Sequence, residues 1–162
     1  MLQNLNATKK GLITGLLMIG LSLLIDNMNK PLESSLQYLI YVIYAAGIAW
    51  SLYSFYKSAE NTNKFGAFFL QGFKCFIVVT LLMVIFTFVF YKMHPEFKEQ
   101  MAVSYREELV KKGNSTDAEI NSNVEKMKSY YLTLLISGAV FGYLLIGSVI
   151  TAASSILFMR RK

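Results

Sequence analysis

The chain is poor in the residues that carry most protein chemistry. Its 162 residues include one cysteine, one histidine and two prolines. A lone cysteine, Cys75, excludes an internal disulfide and a cysteine-built zinc cluster. A lone histidine, His94, excludes a centre that needs a second imidazole. Hydroxyls are plentiful, but none has an accompanying general base that makes it a credible nucleophile, and no phosphate-cradling glycine loop is present. Catalytic, cofactor-binding and metal-ligating residues are therefore all expected to be absent, and the chain reads as a non-enzyme. Charge is scarce as well. Asp, Glu, Lys and Arg make up 16% of the chain, where a soluble domain carries about a quarter.

What is present is apolar. Hydrophobic residues make up 54% of the chain, the mean hydropathy is +0.43, and the charges fall in short clusters between long uncharged runs. The formal net charge of +6 does not point to nucleic acid. The basic groups Lys9, Lys10, Lys57, Lys64, Arg160, Arg161 and Lys162 border apolar runs, without a basic stripe interleaved with stacking aromatics. Basic residues at the ends of apolar helices fix orientation in a bilayer and attract anionic headgroups. The length suits a single membrane domain over 1–162.

Four spans are expected, at about 9–28, 34–56, 68–91 and 131–158. The first apolar run, Gly11 to Ile25, is about 22 Å long as a helix, and snorkelling by Lys9 and Lys10 extends its reach. It has the length and basic start of a signal peptide, but Leu24-Ile25-Asp26-Asn27-Met28 offers no small-residue cleavage site, so an uncleaved span is favoured. Pro31 breaks the helix. The run from Ser34 to Tyr56 carries no charge, and Tyr38, Tyr41 and Tyr44 near one end with Tyr53 and Tyr56 at the other resemble interfacial aromatic belts. In the third segment Phe65, Phe68, Phe69, Phe73 and Phe76 recur at helical spacing, leaving Ala67, Gln71 and Lys74 on another face. Its opening turn lies along the interface or already belongs to a long tilted span, and Cys75 to Tyr91 is its membrane core. The fourth run, Ser129 to Met159, is about 46 Å long as one helix.

Between the third and fourth spans, an extramembrane helical hairpin is expected at 95–128. Pro95 suits a first helical position and Gly113 a C-terminal cap. Phe97, Met101, Tyr105 and Leu109 make a stripe on the first helix, with Glu107–Lys111 and Glu108–Lys112 as outer pairs. Thr116 to Glu119 is a capping box that opens the second helix. Its stripe of Ile120, Val124, Met127 and Tyr131 runs on into the last span, so one long helix from about Thr116 is predicted. From Lys92 to Lys128 there are seven basic and seven acidic residues. Basic density is highest on the side holding both termini and the second connection, which the positive-inside rule makes cytoplasmic.

The polar groups near the spans each have a plain reading. Asp26 sits at a helix end beside Asn27 and Lys30, so an interfacial group is favoured over an intramembrane carboxylate. Lys74 is about two turns into its segment, and a snorkelling role outweighs an ion-pathway role. Cys75 is a small core or lipid-facing residue. His94, ahead of Pro95, is an interfacial or capping residue. Gly11, Gly15 and Gly20 on the first span, and Gly138, Gly142 and Gly147 on the fourth, make small-residue faces. Packing of those two spans on each other is favoured, with a homo-oligomer as the alternative.

In order along the chain come Asn63-Lys64-Phe65-Gly66-Ala67-Phe68, the third run, Pro95-Glu96-Phe97, the acidic-basic helix, the turn Gly113-Asn114-Ser115-Thr116-Asp117-Ala118-Glu119-Ile120, and the basic tail. Over nearly the whole chain this layout resembles the Bacteroidota membrane-protein family designated domain of unknown function 4199. The resemblance implies a four-helix inner-membrane protein with an amphipathic stretch before its last span. It brings no assigned activity and no site residues. The expectation is an all-α polytopic protein of the bacterial inner (cytoplasmic) membrane, in contact with the bilayer and with a membrane-protein partner or further copies of itself. It would act as a non-enzymatic accessory or scaffold subunit. The alternative is a small oligomeric channel or transporter using Asp26, Lys74 and the tyrosines of the second span. A lipid-acting enzyme comes third, since it needs a convergent cluster that the sequence does not contain.

Overall fold

The computed structural model describes residues 5–27, 37–59 and 62–160. The Pro31 break, Lys30, Glu33, the start of the second run at Ser34, and the terminal Arg161 and Lys162 lie outside them. Among the described residues the regular elements are five helices: α1 (Ala7–Asn27), α2 (Gln37–Tyr56), α3 (Phe65–Met93), α4 (Glu96–Lys112) and α5 (Asp117–Met159). Four of them, all but α4, are long and apolar enough to cross a membrane. The predicted long last helix is found, with 43 residues running unbroken. By contact the chain divides into two compact units, one of residues 1–84 with 140–162 and one of residues 85–139.

In the first unit, α1 packs along α2, and the first part of α3 and the last part of α5 complete it. Its core holds Met18, Tyr44, Ile48, Leu52, Phe68, Cys75, Phe76 and Val79, all almost fully enclosed. The surface is just as apolar. Leu16, Leu17, Leu24, Leu81, Phe141, Val149 and Leu157 are all more than half exposed, whereas Thr14, Ser51, Thr80, Thr151 and Ser155 are buried. A water-soluble bundle does not leave so many large apolar side chains outside. An apolar exterior around a core that also admits hydroxyls suits helices in lipid, where burial of apolar surface no longer drives packing and close contact must do so.

Those close contacts are made at glycine. A Cβ built on Gly11 would come 2.5 Å from the Cys75 carbonyl oxygen, and one on Gly15 would come 2.6 Å from Leu82 Cδ1. Gly47 meets Thr14, Gly72 meets Thr151, and Gly147 meets the Tyr44 hydroxyl and the Phe76 ring. The expected pairing of the first and fourth spans through glycine is therefore corrected. Gly11 and Gly15 pack on α3, Gly147 packs on α2 and α3, and Gly20, Gly138 and Gly142 have open space where a Cβ would be. The phenylalanine stripe of α3 also divides. Phe68 and Phe76 point inward, while Phe65 and Phe73 are exposed, because the inward face follows Phe68, Gly72, Cys75, Phe76 and Val79.

The second unit is held by the end of α3, by α4 and by the start of α5. Pro95, expected at the first helical position of α4, instead occupies its N-cap, with φ −64°. Gly113 closes α4 in the left-handed region at φ 64°, its N–H bonding the Val110 carbonyl at 3.1 Å. The capping box forms. The Thr116 N–H donates to Glu119 Oε2 at 2.8 Å, and the Glu119 N–H donates to Thr116 Oγ1 at 3.4 Å. Glu108 and Lys112 pair at 2.6 Å, while no bridge joins Glu107 and Lys111. Between α4 and α5, Lys128 Nζ donates to Glu99 Oε2 at 2.6 Å. Ala102, Ile120 and Tyr131 are buried. Phe97, Tyr105 and Leu109 are half-buried, but Met101 is exposed, so the covered face of α4 is turned from Met101 towards Ala102.

Two outcomes follow. Gly11→Ala places a methyl against a backbone oxygen that cannot swing aside, and should lower thermal stability in detergent by about 1–3 kcal/mol. Gly142→Ala meets open space in mid-helix, and should leave stability unchanged or raise it by up to about 1 kcal/mol. Equal effects of the two would contradict the packing. The second outcome concerns acid. The hydrogen bond from Lys128 holds the Glu99 carboxyl below the usual carboxylate range. Its contribution is thus complete above the unfolded value, about pH 4.3, and fades as pH falls through the lower folded value. Hydrogen-exchange protection of α4 should drop through that acid window, and in Glu99→Gln the drop should be absent.

Candidate functional site

The sequence-selected polar residues do not converge. Asp26 is exposed one residue before the end of α1, and Lys74 is exposed on α3. His94 lies in the second unit, where its Nδ1 is 2.9 Å from the Phe90 carbonyl and its ring stacks on Phe90 at 4.5 Å. That is a helix-end residue holding its own last turn. Cys75 is buried in the core of the first unit and is not lipid-facing.

The polar groups that do come together are interior ones. Tyr44, expected in an aromatic belt, is fully buried. Its hydroxyl donates to the Tyr143 carbonyl at 2.9 Å, and its ring meets that of Tyr143 edge-on at 5.8 Å. Tyr38, Tyr41 and Tyr53, expected in the same belts, are exposed. Thr80 stands beside the Tyr44 hydroxyl and Ser51 beside the Cys75 thiol, yet neither side-chain oxygen closes a well-formed hydrogen bond. The Cys75 thiol points to the Gly47 carbonyl, with Sγ at 3.8 Å. Thr14 Oγ1 donates to the Lys10 carbonyl at 2.8 Å and Ser155 Oγ to the Thr151 carbonyl at 2.7 Å. Thr151 Oγ1, wholly enclosed, has no hydrogen-bond partner. Phe55, Phe68 and Phe158 pack beyond these groups, with Phe55 edge-on to Phe68 at 5.1 Å and Phe68 stacked on Phe158 at 6.4 Å.

Lys10 is the residue that reading the sequence misplaced. It was paired with Lys9 as an interfacial cation, but only Lys9 is exposed. Lys10 is 3% exposed, and its Nζ lies 5.6 Å from the Trp50 ring centre. The reason is helical phase. Successive residues point about 100° apart, so Lys10, Thr14 and Met18 share one face, and that face is inward. Gly11 abuts Cys75, about 15 Å along α3 from its first residue. The signal in the sequence was the four-residue spacing from Lys10 to Thr14 to Met18, next to Gly11 and Gly15.

Taking an ammonium out of water costs on the order of several kcal/mol when no counter-charge accompanies it. The Trp50 face returns about 1–2 kcal/mol of that. Among the described residues no acidic group pairs with Lys10, and the group within its electrostatic reach is the Cys75 thiol. The described interior thus holds a cation without a counter-charge among hydroxyls and a thiol, an arrangement of hydrogen-bond donors more than of acids and bases. Tyr44→Phe, which removes the bond to Tyr143, should cost about 0.5–1.5 kcal/mol in thermal unfolding. A larger loss would mean that the hydroxyl holds more than this one carbonyl.

Comparison with known proteins gives one result. No curated protein and no solved structure matches the chain. The family described as protein of unknown function (DUF4199) matches residues 9–160, nearly the full length, and the chain belongs to that family.

Proposed function

We propose that the protein is a multi-pass component of the bacterial inner membrane that works by binding other membrane proteins, or further copies of itself, and not by catalysis. The observation that carries the reading is the apolar exterior of the first unit, where leucine, valine and phenylalanine are more than half exposed around a core that is itself apolar. A surface of that kind is stable against lipid or against another apolar protein surface. The four long apolar helices are read as spans ending near the expected bounds, with the last crossing over about 131–158. An even number of crossings keeps both termini on one side. The density of Lys9, Lys57, Lys64 and Arg160, all exposed, favours the cytoplasmic side. The hairpin of 95–128 then faces away from the cytoplasm as an amphipathic element. On α4 it leaves Met101, Val103 and Val110 about half exposed, which is apolar surface that a partner would cover.

A second reading, a small oligomeric channel or transporter, gains from Lys10. An ionisable group inside a membrane bundle is a pathway or ligand hypothesis by default. Asp26 and Lys74, by contrast, are exposed.

Accessibility and crosslinking test the leading reading together. Cys75 is the one native cysteine and is buried, so introduced thiols report cleanly. Impermeant maleimide on spheroplasts should modify Ser104→Cys and leave Lys57→Cys untouched. Photo-crosslinkers at Val103 and Val110 should give one discrete adduct in native membranes, and mild detergent should extract the same species. The reverse labelling pattern would overturn the topology. A monomer unchanged by crosslinking at both sites would overturn the scaffold role.

A further inference from the structure

We infer that Lys10, Trp50 and Ser51, at the first turn of α1, form a binding site inside the helix bundle for a small, singly charged anion. The Lys10 ammonium is enclosed, with 3% exposure, and it makes no ion pair among the described residues. The charge census around it is one-sided. Asp26 is the sole acidic residue among the described residues of the first unit, and it sits at the other end of α1, about 24 Å away along the helix.

Ser51 stands beside the Cys75 thiol, which lies within electrostatic reach of Lys10. Ser51 is 2% exposed, and its Oγ closes no hydrogen bond. The Lys10 N–H bonds the Asn6 carbonyl at 3.1 Å at the start of α1. No acidic side chain occupies that first turn, leaving the positive end of the helix dipole unanswered. The Cys75 thiol, within electrostatic reach of Lys10, is turned to the Gly47 carbonyl and does not supply the missing negative charge. One ammonium balances one charge, so a monovalent species closes the account where a dianion would leave a net charge in the interior.

Two sources share this chemistry, a free halide or similar inorganic ion and the phosphodiester of an anionic lipid. The inference rests on the membrane reading and on no partner. Incorporation into lipid nanodiscs reports on that reading separately from binding.

Trp50 is the one tryptophan, and Lys10 lies against its ring, so its fluorescence reads the site directly. In phosphatidylcholine nanodiscs at constant ionic strength, bromide should quench Trp50 saturably, and non-quenching chloride should reverse the effect. Lys10→Arg should keep saturation, Lys74→Gln should behave as the unsubstituted protein, and Lys10→Gln should weaken binding by about tenfold or more. If phosphatidylglycerol in the discs blocks bromide as chloride does, the lipid headgroup occupies the same site. If it does not, the free ion is the ligand. Linear quenching by bromide in the unsubstituted protein, with no competition from chloride or phosphatidylglycerol, overturns the proposal without reliance on any variant.

Discussion

The first unit depends on how closely its helix backbones approach one another. Gly11 lies on the Cys75 carbonyl, Gly47 against Thr14, Gly72 against Thr151 and Gly147 under Tyr44. Each contact joins two different helices, and each uses the missing side chain of one to seat a polar or backbone group of the other. In lipid this is the available source of specificity, since an outward leucine loses nothing by facing hydrocarbon. Large apolar side chains are consequently free to point outward as well as inward, and the interior also admits hydroxyls that hydrogen-bond locally, as Thr14 and Ser155 do to their own helices.

Lys10 sits in that framework as its one expensive member. Glycine contacts on either side of it, at Gly11 and Gly47, bring α1 against α3 and α2 and so enclose a side chain that a looser bundle would let reach water. The Trp50 face offsets part of the cost. Removing the charge would be the simpler way to build a stable bundle, and its presence is what distinguishes this interior from plain packing.

The second unit follows the physics of soluble helices. Its helices are capped by Pro95, Gly113 and the Thr116–Glu119 box, and charge pairs tie it at Glu108–Lys112 and Glu99–Lys128. The caps and the Glu108–Lys112 pair were legible from sequence because each is local, whereas Glu99–Lys128 joins α4 to α5 and depends on how those helices pack. A cap or an i,i+4 pair is decided within one turn of helix. The same locality explains what was legible elsewhere, namely the four apolar stretches and the unbroken course of α5.

Sequence by itself determined the all-helical class, the long apolar helices and the family, since backbone satisfaction and run length depend only on neighbours along the chain. The tertiary structure decided which face of each helix turns inward. In a membrane bundle both faces are apolar, so periodicity does not separate core from surface, as the divided phenylalanines of α3 show. It also decided that Gly11 and Gly15 meet α3 and not α5. Tyr44 became a core residue and Lys10 a buried cation because their neighbours come from helices distant in sequence, and a side chain's burial is set by those neighbours and not by its own identity.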